Sequence, residues 1–382
     1  MASLLHKGFD VMTAEEAVSQ AFQKALDSWA KTGSPDAEEA WLMTVALRCA
    51  IDVKRKEART TSFDSVPEPE SEPDYNLQPL EDERLRLFFL CTHPAIDDQV
   101  QTPLMLQLIL GMTVAEISEL LILPESQVAQ RLVRAKKKLK LANLTLELPH
   151  ESELDVRSAA VLQAIYGLYT RGWDLPGSSV RMMAAKEAME LAELMAGLLP
   201  SSAEALGLAS LILFCESRRS ARLDALGDYV PLSDQDFSQW DWALVRKAEE
   251  LLGQAALLRA PGRFQLEASI QSAHVQRLTR GEPGWETIVV LYRHLVSVAP
   301  TQSSRIGLAA ALAYTSGPQA ALDDLEAGGF SDGYQPFHSL RCHLLVQLGR
   351  SDEALESAKL AVSLTADPAV KGYFSRLMGN DL

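Results

Sequence analysis

Residues 104–140 constrain the fold of this chain more than any other stretch. Thr113 stands where a helix cap belongs, and Glu116 follows at the reciprocal position of a capping box. Ile117, Leu120 and Leu121 then give a short helix one apolar stripe. Leu123-Pro124 breaks the pattern, with proline placed where a second helix can begin. In that second helix Val128, Leu132, Ala135 and Leu139 recur on one face and Gln127, Gln130, Arg131 and Arg134 on another. The first set docks the helix; the second is free to reach a DNA groove. This is the pattern of a helix-turn-helix.

Charge sharpens that reading. The formal net charge is -15, so the chain as a whole is a poor non-specific binder of nucleic acid. Yet Arg131–Lys140 holds six basic residues and no acidic one. A charge run alone is ordinarily a solvated helix face. A capped helix before it and a Gln/Arg face within it point to directed DNA docking.

Helical spacing continues along the chain, and Val and Ile rarely alternate with polar residues, so an all-α fold is expected. Residues 14–58 read as two helices joined by Gly33-Ser34-Pro35-Asp36, the second ending in Lys54-Arg55-Lys56. Residues 62–83 are rich in Pro, Ser and acid and read as a linker, whose charge can also shield the basic helices. After a connector over 144–155, helical segments recur from 156–171 to 352–365. Around Gly349, with Ala354 and Ala358 where two helices would touch, the spacing resembles a tetratricopeptide repeat. Helices of this kind cover their apolar faces only by stacking.

Other chemistry finds little footing. The four cysteines are scattered without a CxxC pair, which fits reduced cytosolic thiols. Cys91 and His93 are too few for a metal site. Asp234, Asp236 and Asp241 read as helix-capping acids, Arg218, Arg219 and Arg222 as partners of helix C-termini, and Trp240 and Trp242 as packing residues. No nucleophile elbow or phosphate-binding glycine loop occurs. A non-enzyme without metal or cofactor is expected. With no signal-like N-terminus and no apolar run of membrane-spanning length, the expected location is cytoplasmic.

Taken in order, these segments resemble an extracytoplasmic-function (group IV) RNA polymerase sigma factor, of the subgroup with a tetratricopeptide-like helical extension. Ala14-Glu-Glu-Ala-Val-Ser-Gln-Ala-Phe22 with Trp29, and Trp41-Leu-Met-Thr-Val-Ala46 with Ala50-Ile-Asp52, resemble sigma region two. Arg84-Leu-Arg-Leu-Phe-Phe-Leu-Cys-Thr-His-Pro-Ala-Ile96 and Gln130-Arg-Leu-Val-Arg-Ala-Lys136 resemble region four. Glu204-Ala-Leu-Gly-Leu-Ala209 and Asp234-Gln-Asp-Phe-Ser-Gln-Trp-Asp241 resemble motifs of the extension.

The resemblance implies a region-two domain over 1–61 with a shortened N-terminus, a linker over 62–83, a region-four domain over 84–148 and an extension over 156–382. It implies bacterial core RNA polymerase and promoter DNA as partners, with the extension regulating the factor and able to contact the sigma domains. Glu16, Gln20, Phe22 and Trp29 would bind polymerase. Asp52, Lys54, Arg55 and Lys56 would handle the -10 element. Gln127, Gln130, Arg131, Arg134, Lys136, Lys137 and Lys138 would handle the -35 element. Ser19-Gln20 and the uncharged Leu47 and Cys49 depart from the family pattern, where an acid and two bases are usual. Those departures favour the alternative: a degenerate sigma acting as a helical-repeat protein-binding scaffold or as a polymerase-independent DNA-binding regulator.

Overall fold

The computed structural model describes residues 1–60, 80–121, 123–142, 149–173, 179–280, 284–330 and 333–380. These residues are almost entirely helical; no strand forms among them, only an isolated antiparallel bridge between Leu223 and Tyr229. Two compact units divide the chain, Met1–Leu168 and Tyr169–Leu382. No described helix is long and apolar enough to cross a membrane. Most of the expected linker lies outside the described residues, but residues 80–83 are already helical.

The first unit begins with α1 (Ala2–His6), α2 (Val11–Thr32) and α3 (Glu38–Thr60). Asp10 caps α2, accepting from the backbone N–H of Met12 and Thr13 at 3.0 and 3.2 Å. The seam between α2 and α3 is made of small residues: Ala14, Ala17 and Ala21 meet Ala46, Cys49 and Ala50, all buried. This accounts for one departure from the sigma pattern. Cys49 is 1% exposed, so a basic side chain there would bury a charge in an apolar seam. Leu47 packs against the same cluster.

The unit continues with α4 (Leu80–Cys91), α5 (Asp98–Leu108), α6 (Val114–Leu121), α7 (Glu125–Ala142) and, as far as Leu168, α8 (Glu151–Trp173). Phe88, Phe89, Leu104, Met105, Leu106 and Ile117 are fully buried beneath the helix-turn-helix. Arg157 of α8 donates to the carbonyl of Phe89 and the hydroxyl of Thr92. Gly167 lies against Leu106 and Leu120. The front of α8 therefore packs against α4, α5 and α6. Burial raises the Cys91 thiol pKa to about 12, and His93 Nδ1 accepts from the backbone N–H of Ala95.

The second unit is a helical array: α9 (Ser179–Leu198), α10 (Ala203–Ser217), α11 (Trp242–Leu257), α12 (Arg263–Arg280), α13 (Trp285–Val298), α14 (Gln302–Thr315), α15 (Pro318–Ala327), α16 (Gln335–Gln347), α17 (Ser351–Ser363) and α18 (Pro368–Asn380). Helix α10 is apolar all round and is the hub, packing against α9, α11 and α12. Later helices stack on their neighbours, with Ala354 and Ala358 fully buried in the last cluster. Gly349 turns the chain between α16 and α17 at φ +71°, a value that favours glycine.

Two sequence motifs of the extension find local duties here. Glu204 of α10 accepts from the N–H groups of Phe264 and Gln265 at 3.1 Å each and so caps α12 across the fold. Asp241 caps α11 through Ala243 and Leu244, and Asp236 accepts from Ser238. Beside these caps Phe237 meets Trp240 edge-on, and Trp240 and Trp242 lie at a tilt to each other. Arg219 pairs with Glu216 at 2.6 Å and Arg218 reaches Gln271. Helix α18 closes the array: Arg376 binds Asp224 and Asp228 at 2.8 and 3.0 Å, and Tyr373 meets Tyr229 edge-on.

His274 gives this unit a pH response. It sits edge-on to Trp285, and its Nδ1 is buried with no hydrogen-bond partner among the described residues. Burial, then Arg277 and Arg218, lower its pKa from 6.5 to about 4. Between those values the unfolded imidazole is protonated while the folded one is neutral, so acid favours unfolding. Acidification from about pH 6.5 towards 4 should therefore cost the array on the order of 2 kcal/mol. Denaturant titrations of wild type and His274→Phe check this: the substitution should flatten the acid loss.

Candidate nucleic-acid interface

The turn that positions α7 is built from local bonds. Thr113 N–H donates to Glu116 Oε2 at 2.8 Å, and Glu116 N–H donates back to Thr113 Oγ1 at 3.3 Å. The capping box read from the sequence is thus present in full. Ser118 donates its hydroxyl to the carbonyl of Leu123 and fastens the turn. The carbonyl of Pro124 then accepts from Gln127 and Val128 to start α7. Replacing Thr113 with alanine should cost about 1 kcal/mol locally, read as roughly fivefold faster amide exchange in α6.

Val128, Leu132, Ala135 and Leu139 are buried, which fixes the roll of α7. Gln127, Gln130, Arg134, Lys137 and Lys138 consequently reach solvent, and Arg131 is half-buried at their edge. Arg131, Arg134 and Lys138 line one wall of an open groove of about 390 Å³. Asp97, Gln99 and Val100 at the start of α5 line the other. Gln99 was not singled out by sequence; its signal was Asp97, which caps α5 through the Gln99 N–H at 3.0 Å. Glutamine and arginine can read base edges with paired hydrogen bonds, whereas exposed lysines suit phosphates.

Lys136 does not join this face. With 3.6 residues per turn it projects on the side of α7 opposite Gln127, Arg131 and Lys138. Its Nζ lies 2.5 Å from Glu15 Oε1, and its side chain is only 14% exposed. A phosphate role for Lys136 is inconsistent with that placement.

The candidates in the N-terminal helices also divide. Asp52, Arg55 and Lys56 share one exposed face near the end of α3. Lys54 points elsewhere: its Nζ donates to the carbonyl of Gly8 at 3.2 Å and lies 4.7 Å from the Phe9 ring centroid. On α2, Glu16 and Gln20 hydrogen-bond each other at 3.1 Å on one side. Phe22 and Trp29 lie on the other, with Trp29 packed on Trp41 at 5.5 Å. Beside Phe22, 54% exposed, stands Leu26, 75% exposed. Phe22 and Leu26 stand four residues apart, the spacing of neighbours on one helix face.

Comparison with known proteins bears on this geometry. Residues 90–139 match the family described as Sigma-70, region 4, a span that includes α5, α6 and most of α7. Residues 157–256 match a family of unknown function, DUF6596. An uncharacterised protein of Rhizobium meliloti (strain 1021), R00370, is 32% identical over 384 residues, covering 98% of this chain and 91% of its own length. No solved structure matches.

Proposed function

We propose that this chain, which belongs to one family with the Rhizobium meliloti protein R00370, is an RNA polymerase sigma factor of the extracytoplasmic-function type, regulated by its C-terminal helices. The match to sigma-70 region 4 supports a sigma-factor-like, DNA-binding role. The observation that carries the finer reading is the exposed Gln127, Gln130 and Arg134 face, flanked by Arg131, on a capped helix-turn-helix.

In this account the Gln and Arg side chains read the -35 element, and Lys137 and Lys138 hold its phosphates. Asp52, Arg55 and Lys56 face the -10 strand. Phe22 and Leu26 form the apolar contact with core polymerase, since exposed large apolar groups side by side mark protein-binding surfaces. The stacked helices of the extension, similar in spacing to tetratricopeptide repeats, act as the regulatory element, with no catalytic step.

Co-purification with bacterial core RNA polymerase tests the reading. Stable binding that weakens in Phe22→Ala/Leu26→Ala supports it. A folded protein that never binds core polymerase yet retains sequence-specific DNA binding would favour a polymerase-independent regulator.

A further inference from the structure

Three side chains of α12, Gln271, His274 and Arg277, recur at three-residue steps and so run down one side of the helix. All are half-buried, as are Arg218 at the end of α10 and Trp285 at the start of α13. Arg218 donates to Gln271 Oε1 at 3.0 Å. The guanidinium carbon of Arg277 lies 4.4 Å from the ring centroid of Trp285, whose indole stacks on Tyr314 at 3.8 Å. His274, between Gln271 and Arg277 on the helix, meets the same indole edge-on at 5.6 Å. Burial and then both guanidinium groups push His274 towards its neutral form, so the two cations act on one spot. They do so in a chain whose net charge is -15. Two nitrogens there, Arg277 Nε and His274 Nδ1, are buried without a hydrogen-bond partner among the described residues. Unpaired buried nitrogens are rare in native folds, and beside cations they fit an anionic ligand.

We propose that Arg218, His274 and Arg277 form a binding site for a phosphoryl group. A guanidinium donates from a planar fork that matches phosphoryl oxygens. Two forks and one imidazole N–H can each take a different terminal oxygen, whereas a carboxylate offers only two, in one plane. Trp285, backed by Tyr314, steadies Arg277 through its ring face. The acids against α12 are engaged elsewhere: Glu267 pairs with Arg263 at 2.8 Å, and Glu249 accepts from Ser272 at 2.7 Å. All of these residues belong to the second unit. That the ligand acts as an effector of the regulatory helices rests on the function proposed above; its binding does not.

Tryptophan fluorescence of the full-length chain reads the binding. Inorganic phosphate, balanced with chloride at constant ionic strength, should give a saturable change that Trp285→Phe removes. Arg277→Met should weaken binding about tenfold or more, with the helical circular dichroism of the free chain unchanged. Arg277→Lys keeps the charge but not the fork and should weaken it as well. No saturable response in wild type, or equal affinity in wild type and both Arg277 variants, would overturn the site. Succinate binding as tightly as phosphate would overturn its assignment to a phosphoryl group. Glycerol phosphate binding at least as tightly as inorganic phosphate points to a phosphorylated small molecule, and binding of inorganic phosphate alone to the free anion. Because the free chain is titrated, failure to engage core polymerase would overturn the proposed function and leave this result standing.

Discussion

Replacing Arg131 and Arg134 together by alanine should lower affinity for the DNA sequence that α7 is proposed to read by about a hundredfold or more. Each bidentate arginine contact to a base contributes about 1–3 kcal/mol of discrimination, and both side chains stand on the groove wall. The fold should tolerate the change, because the docking face of α7 is carried by Val128, Leu132, Ala135 and Leu139. The loss should be largest on the preferred sequence and small on random DNA. Lys137→Ala/Lys138→Ala should act differently, weakening all sequences alike and lowering the slope of log affinity against log salt by about two. Fluorescence anisotropy on matched and scrambled duplexes at several salt concentrations separates the two outcomes. An equal loss on both duplexes from the arginine pair would mean that these residues position the protein without reading bases.

Gly207→Ala should be the most damaging single-methyl change in the extension. A Cβ at Gly207 would stand 2.5 Å from the backbone nitrogen of Gln265 and 2.7 Å from its Cα. Those are backbone atoms of α12, so no flexible side chain can swing away. The alternative is for α10 and α12 to separate, which also pulls Glu204 from the N–H groups of Phe264 and Gln265 that it caps. Overpacking of this kind costs about 3 kcal/mol, or roughly 10 °C in the melting temperature of a unit this size. Glu204→Gln should cost less, since the one amide oxygen keeps one of the two N–H bonds while the other N–H loses its acceptor. Calorimetry of the full chain should show the transition of the second unit moving down while that of the first stays in place.

The sequence told most where the causes are local. Thr113 and Glu116 lie within one helical turn, so their capping box could be read directly, as could the buried Val128–Leu132–Ala135–Leu139 face. Asp241 as the cap of α11 was legible for the same reason. Lys136 was misplaced because its partner, Glu15, lies on a distant helix; a basic run treated as one unit hid the fact that its residues point in several directions. Glu16 and Gln20 were grouped with Phe22 and Trp29 by motif, although helical spacing alone puts them on different sides of α2. Helix α18 escaped notice because its partners, Asp224, Asp228 and Tyr229, belong to a loop far upstream. Gly207 stood inside a recognisable motif, but its reason, the backbone of α12, became visible only in three dimensions.

Run-off transcription with bacterial core polymerase on genomic DNA of the source tests the central claim most directly. The account predicts discrete transcripts that appear only when the protein is added and vanish with Arg131→Ala/Arg134→Ala. A folded protein that binds DNA through α7 yet yields no specific transcript with core polymerase would contradict it.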